Sequence, residues 1–285
     1  MSQNTSNSLI NLGNMSKPAD TLIKKISDAV GGLFAPYQVK RMAKAEAEAA
    51  MIKAQSEAEI TDLHRRAVNR WIEEEAQRQK NMEDITAKAL PQLTEKATPD
   101  SVENDWLVNF FDKSRIVSDN EMQDLWSRVL AGEANIPGTY SKRTVNFLSD
   151  LDKVDAELFI KLCGFGWMMG NVVPLVFDNQ EEIYDKHGIN FNTLSHLESI
   201  GLVQFNSITG FLRSDLPKKF TVLYYGTPLT LEMPKDADND LEIGMVLLTK
   251  IGQELAPICG SRPVEGFRGY VMDKWKQYLP KSESE

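Results

Sequence analysis

The sequence predicts a mainly α fold of the α+β class, with a long N-terminal helix, a helical bundle and a small C-terminal winged-helix-like module that contains β-strands. Residues 37–90 contain neither Gly nor Pro and are dense in Ala, Glu, Lys, Gln and Arg, which have the smallest cost in a helix. Residues 98–163 carry helix-start signals and one-sided apolar patterns. From residue 202 onward, β-rich runs alternate with turn residues.

We expect five segments along the chain. The first residues are polar and rich in Ser and Asn, so their burial cannot offset the entropy of ordering them. The predicted segments are a disordered tail at 1–19, an amphipathic helix at 20–36, a long Ala- and Glu-rich helix at 37–95, a helical bundle at 96–190, and a winged-helix-like module with a terminal helix at 191–285.

Composition restricts the partners and the compartment. The net charge of −9 opposes nonspecific binding to nucleic acid, because a phosphate backbone repels an acidic surface. Two cysteines, Cys163 and Cys259, are too few for a disulfide framework. The N-terminus lacks the basic start and apolar run of a secretory signal. We therefore expect a cytoplasmic protein, recruited to the inner membrane through an amphipathic segment.

Residues 21–34 form the first amphipathic pattern, with apolar residues at helical spacing opposite lysines and Asp28. One interpretation is a membrane-active helix that Gly31, Gly32 and Pro36 attach through a hinge. The alternative is that the same stripe packs on the protein's own core. The residues predicted to meet lipid are Leu22, Ile26, Val30, Leu33 and Phe34.

A basic patch follows the predicted hinge and consists of Lys40, Arg41 and Lys44. Between Lys17 and Lys44, six basic residues stand against two acidic ones, which gives +4 in an acidic protein. Charge asymmetry of this kind favours an anionic membrane surface as a partner.

The long helix predicts self-association. In its first half the apolar seam is thin and rich in Ala, so a two-stranded coiled coil there is weak and close packing in a homo-oligomer is favoured. Its second half has a broader apolar face, which we expect to dock on the globular part of the protein. That face consists of Leu63, Ala67, Trp71 and Ile72.

Helix-start signals divide the bundle. Thr98 precedes Pro99 at a first helical position, Ser118 stands three residues before Glu121 as a capping box, and Ser141 is placed to cap a further helix. We expect a helix after each signal.

Residues beyond 190 predict the winged-helix-like module. A helix ends near Ile200, strands are expected at 202–205, 211–212, 220–225 and 228–233, and a closing helix runs from Thr249 to Ile258. In such a module, Lys218 and Lys219 are candidate nucleic-acid contacts. The predicted reading helix has no Arg or Lys, which favours a protein partner over nucleic acid.

No residue pattern indicates catalysis, a cofactor or a metal. His64, His187 and His196 are far apart and lack ligand spacing. The run GFGWMMG at 164–170 lacks the Lys-Ser/Thr pair of a phosphate loop, so we interpret its glycines as sites of close packing. We therefore predict a protein that is not an enzyme and has no catalytic, cofactor-binding or metal-binding residues.

Three segments, at 26–49, 118–163 and 248–259, together resemble an uncharacterised bacterial family of the domain-of-unknown-function class, over about Thr21 to Gly260. The C-terminal part is also similar to the closing signature of alpha-type abortive-infection proteins, through Leu248, Thr249, Gly252, Leu255 and Cys259. Such families travel in prophages, and the resemblance implies antiviral defence without supplying an active site.

Together these features predict a non-enzymatic, oligomerising defence protein of the abortive-infection kind. In this hypothesis the body senses a partner protein, such as one of phage origin, the long helix forms the homo-oligomer, and the N-terminal amphipathic helix acts on a membrane. The alternative is a winged-helix-like DNA-binding or regulatory interaction protein.

Overall fold

A computed structural model of the protein describes residues 15–31 and 62–280. Its contacts divide the chain between Asp150 and Leu151 into two compact units. Unit 1 is helical, and unit 2 combines helices with antiparallel strands. The prediction of a mainly helical α+β fold is confirmed.

Unit 1 contains five described α-helices and two short 3-10 turns. The turns are Leu90–Gln92 and Pro99–Ser101. The helices are α1 (Lys17–Val30), α2 (Asp62–Ala89), α3 (Asn104–Ser114), α4 (Asn120–Asn135) and α5 (Lys142–Ser149).

Helix α1 begins earlier than the sequence predicted. The Oγ atom of Ser16 accepts a hydrogen bond from the backbone N–H of Ala19 at 3.4 Å, and this cap starts the helix at Lys17. Residues 17–19, predicted to belong to a disordered tail, are therefore helical. The helix packs against α3 and the turn Pro99–Ser101.

Helices α3 and α4 supply the aromatic core of unit 1. The ring of Phe110 lies 5.1 Å from each of the rings of Trp106, Phe111 and Trp126. Edge-to-face and offset arrangements at this distance add to the gain from burial alone. This aromatic cluster therefore joins α3 to α4 within the core of unit 1.

The helix starts follow the predicted signals with two differences. Ser141 caps α5, as predicted. Asp119, and not Ser118, caps α4, because its side chain accepts from the N–H groups of Glu121 and Met122. The start predicted at Pro99 gives a 3-10 turn, and α3 begins only at Asn104.

Unit 2 contains α6 (Lys153–Cys163), α7 (Glu182–Asp185), α8 (Phe191–Ser199), α9 (Lys250–Leu255) and α10 (Phe267–Lys274). Its strands are β1 (Gly166–Met169), β2 (Asn171–Pro174), β3 (Val203–Phe205), β4 (Phe211–Leu216), β5 (Lys219–Tyr224), β6 (Thr227–Glu232), β7 (Asn239–Gly244) and β8 (Val246–Leu248). The antiparallel pairings give a four-stranded sheet, β2-β1-β5-β6, and two ladders, β3-β8 and β4-β7.

The unit boundary differs from the one predicted between residues 190 and 191. Strand β1 pairs with β5 at Met168 and Leu223, and the ring of Trp167 stacks on Tyr224 at 5.0 Å. Residues 151–190 therefore share a core with later strands and do not belong to the helical bundle. The glycines of GFGWMMG do allow close packing, since a Cβ on Gly166 would lie 2.8 Å from the carbonyl oxygen of Cys163.

The connection from α8 to α9 follows the predicted order of helix, strands and closing helix. Asn190 and Thr193 form a capping box at the start of α8, and β3 pairs with β8 directly before α9. Thr249 caps α9. Strands β7 and β8 were not predicted. Four strands, β4 to β7, lie between β3 and β8 in the sequence.

Candidate functional site

The first half of α2 is exposed throughout. Every residue from Asp62 to Glu74 is exposed, whereas Asn81, Ile85, Thr86 and Ala89 in the second half are buried. Large apolar side chains stand among the exposed residues. Leu63 is 64% exposed, Val68 51%, Trp71 61% and Ile72 54%.

These apolar residues lie on one side of the helix. At about 100° per residue, Leu63, Ala67, Val68, Trp71 and Ile72 cover one contiguous half of the helix surface. We call these five residues the α2 stripe. Contiguous apolar surface of this kind marks interaction sites more often than scattered exposed residues do.

The α2 stripe continues the face that α2 buries further along. Ile85 and Ala89 project from the same side of the helix as Ala67 and Trp71. The described part of helix α2 has 28 residues and packs on α4, which has 16. At a rise of 1.5 Å per residue, α2 is longer by about 18 Å. Leu63, Ala67, Trp71 and Ile72 were predicted to dock on the globular part, and that prediction is wrong, because all four are exposed where α2 extends beyond its partner.

Charged residues form two groups along the same part of the helix. Arg65, Arg66 and Arg70 come first, and Glu73 to Glu75 follow. Some pair within the helix, for example Arg70 Nε with Glu74 Oε1 at 3.3 Å. Pairs at this spacing stabilise a helix by about 0.3–0.5 kcal/mol each. They support the helical conformation where tertiary packing does not.

Helix α1 places its predicted membrane residues differently. Leu22 and Ile26 are fully buried in unit 1, Val30 is half-buried, and Gly31 ends the helix at a φ of 78°. For Leu22 and Ile26 the structure thus corresponds to the alternative, packing on the protein's own core. Gly32, Leu33, Phe34, Pro36, Lys40, Arg41 and Lys44 lie outside the described residues. Membrane action stays a prediction, and it would require α1 to leave unit 1.

The two candidate nucleic-acid contacts are engaged in exposed ion pairs. Lys218 Nζ lies 2.8 Å from Asp236 Oδ1, and Lys219 Nζ lies 3.3 Å from Glu232 Oε1. Residues 151–280 hold twelve Lys and Arg against seventeen Asp and Glu. Their surroundings are therefore acidic, and DNA binding stays a prediction.

Unit 2 has a surface cleft that sequence reasoning missed. Its volume is about 290 Å³, and Met168, Val172 and Leu223 contribute apolar surface to it. The hydroxyl of Tyr225 lies 2.7 Å from Ser261 Oγ and 3.1 Å from the carbonyl oxygen of Cys163. Burial raises the pKa of Tyr225. No sequence signal identifies the cleft, since its walls come from three separate stretches of chain.

Tyr225 occupies an unusual backbone conformation. Its φ is 46°, and it forms the β5–β6 turn with Gly226 at 83°. A tight hairpin turn needs positive φ at both central positions, where Asn or Gly is normal and Tyr is strained. The hydrogen-bond contacts of the Tyr225 hydroxyl hold the turn in place.

Within residues 15–31 and 62–280, no three His, Cys, Asp or Glu side chains are grouped so that they could hold a metal ion. Among the helices in these ranges, none is both long enough and apolar enough to cross a bilayer.

Comparison with curated proteins found no match, and comparison with solved structures found none either. A family model described as "Protein of unknown function (DUF2806)" matches residues 65–272. The match covers unit 2 almost completely and begins within the exposed half of α2. Since it extends over more than half of the sequence, the chain belongs to the DUF2806 family.

Proposed function

We propose that this protein is a non-enzymatic interaction protein that assembles with copies of itself through the α2 stripe. The observation that carries the proposal is the exposure of Trp71 among four other apolar residues on one face of a projecting half-helix. The other four tryptophans are no more than 4% exposed. A partner that covers Trp71 would bury the one tryptophan that the chain leaves exposed.

The free energy available from the stripe supports an association. Full burial of one large apolar side chain contributes about 1.5–3 kcal/mol. Four such side chains are more than half exposed, so a partner would gain about 3–6 kcal/mol per copy before the entropy of association. For two copies the gain is about 6–12 kcal/mol, and association costs at least about 4 kcal/mol. The remainder of about 2–8 kcal/mol corresponds to a weak association that is micromolar at its tightest.

Membrane action is left out of this proposal, because Leu22 and Ile26 would have to leave the core of unit 1. Antiviral defence remains an extension that rests on resemblance alone. The residues of the abortive-infection signature serve local structure here. Thr249 caps α9, Gly252 makes a close approach to the carbonyl oxygen of Leu202, and Leu248, Leu255 and Cys259 are buried.

Mass photometry and analytical ultracentrifugation of the full chain, from nanomolar to high micromolar concentration, test the proposal. We expect association in the wild type and its loss in Trp71→Asp, because a carboxylate cannot be buried in an apolar contact without a partner. The control is Val154→Asp, since Val154 is a helix residue that is 73% exposed in unit 2. Circular dichroism should show both variants folded.

Two results would contradict the proposal. One is a wild type that stays monomeric at every concentration. The other is an oligomer that Trp71→Asp leaves intact. For the antiviral extension, bacteria that express the wild type and the variant are challenged with phage, and equal plaque counts with and without the protein would exclude that role for the phages used.

A further inference from the structure

We infer that two copies pair through antiparallel first halves of α2, with the two-fold axis near Arg70. The inference rests on the proposed self-association and names its geometry. In this register Trp71 of each copy lies close to the axis. Val68 stands level with Ile72 of the second copy, and Arg65 stands level with Glu75.

The charge pattern selects the antiparallel direction. The basic group at 65–70 precedes the acidic group at 73–75 along the helix. An antiparallel partner brings its Glu75 level with Arg65 of the first copy, at both ends of the contact, and of the three arginines only Arg70 stands level with its own copy. A parallel partner in register brings arginine level with arginine and glutamate level with glutamate, which is unfavourable within a Debye length of about 8–10 Å.

The apolar side chains fit the same direction. In an antiparallel two-fold pair, residues on one flank of a helix face the same flank of the other helix. Val68 and Ile72 lie on one flank of the α2 stripe, and so do Arg65 and Glu75, by the 100° spacing. The contact of Val68 with Ile72 and the ion pair of Arg65 with Glu75 therefore lie next to each other, and the two-fold axis repeats both.

Steric separation supports the arrangement as well. The first buried residue of α2 is Asn81, where the helix begins to pack on the other helices of unit 1. With the axis near Arg70, the two Asn81 positions lie about 33 Å apart along the paired helices. A parallel pair would put them side by side. The antiparallel pair thus lets the exposed halves touch while the two copies of unit 1 stay apart.

Spin-label distances test the direction. Asp62, Asn69 and Ala76 are one heptad apart on the side away from the stripe, so a cysteine at each takes a label without disturbing the contact. The axial separation between the two copies would be about 24 Å at Asp62, about 3 Å at Asn69 and about 18 Å at Ala76. We expect the shortest distance for Asn69→Cys and longer ones for Asp62→Cys and Ala76→Cys. The wild type, whose two cysteines are buried, is the labelling control.

Charge reversal tests the register. Arg65→Glu should weaken the dimer about twofold to thirtyfold, because two symmetric contacts are lost and an exposed ion pair contributes about 0.2–1 kcal/mol. Arg65→Glu combined with Glu75→Arg should restore the wild-type affinity. Arg262→Glu, an exposed change in unit 2, is the control.

The outcomes separate the two proposals. A monomeric wild type overturns both. A dimer with equal distances at the three labelled positions is parallel, which overturns the inference and leaves self-association standing. Failure of the double variant to recover affinity overturns the register.

Discussion

Helix α1 and the first half of α2 have similar amphipathic sequences and opposite surroundings. In α1, Leu22, Ile23 and Ile26 are buried against α3 and the turn at Pro99–Ser101. In α2, the large side chains of the stripe remain more than half exposed. The difference shows that an amphipathic pattern predicts a face that needs covering and does not identify what covers it. The length of the neighbouring elements decides that.

The largest effect that we expect from this comparison is on the stability of unit 1. Ile26→Ala should lower its free energy of unfolding by about 2–5 kcal/mol, because it removes fully buried methyl groups and leaves a cavity. Urea denaturation followed by circular dichroism measures the change. Asp28→Ala, an exposed change in the same helix, should alter the free energy by less than about 0.5 kcal/mol.

A decrease of less than about 0.5 kcal/mol in the free energy of unfolding for Ile26→Ala would contradict the contrast between a buried α1 and an exposed α2. Helix α1 would then contribute little to the unit 1 core, and its release toward a membrane would become the better explanation of its sequence. Leakage of anionic vesicles in the presence of the wild type would be the next measurement.

Hydrogen exchange should separate the two helices next. Amides from Ile23 to Val30 should exchange only through large-scale opening of unit 1, because the side chains of this helix are packed. Amides from Val68 to Ile72 should exchange much faster in dilute protein and slow down as concentration rises. Fast exchange in both helices at every concentration would contradict the distinction between a buried and a paired face.

Salt should have the smallest effect. Raising sodium chloride from about 0.1 M to about 1 M shortens the Debye length from about 10 Å to about 3 Å. Self-association should weaken about twofold to tenfold, because the contact between basic and acidic groups is exposed. Sedimentation at the two salt concentrations measures this. Association that strengthens with salt would show that the apolar contact dominates and that the charges do not select the partner.

Much of the fold follows from local sequence signals. The Ser141 cap and the strands around the Tyr225–Gly226 turn lie within one residue of their predicted places. Strand β7, with the sequence NDLEIG, was missed because three of its six residues are charged or amide-bearing. Its pairing with β4 is a tertiary contact that no local pattern reports. The same holds for the pairing of β1 with β5, which moved the unit boundary.

The candidate site was predicted in part. Apolar periodicity found Leu63, Ala67, Trp71 and Ile72 as one face. It did not show that α4 is too short to reach them, because the length of a partner is a property of the assembled unit. The cleft beside Tyr225 had no signal at all, since positive φ at a tyrosine runs against the usual turn preference.

Trp275, the residue directly after α10, has a consequence for how the protein is made. The ring of Trp275 packs edge-on against Trp167 at 5.8 Å, and its indole N–H donates to the carbonyl oxygen of Glu242 at 3.2 Å. A ribosome must therefore deliver residue 275 before the centre of unit 2 can close, whereas the described contacts of unit 1 are complete at Asp150. Unit 1 can fold during synthesis while Trp167 still awaits its partner. A nascent chain that stalls before Phe267 would expose the aromatic centre of unit 2 to proteases and chaperones.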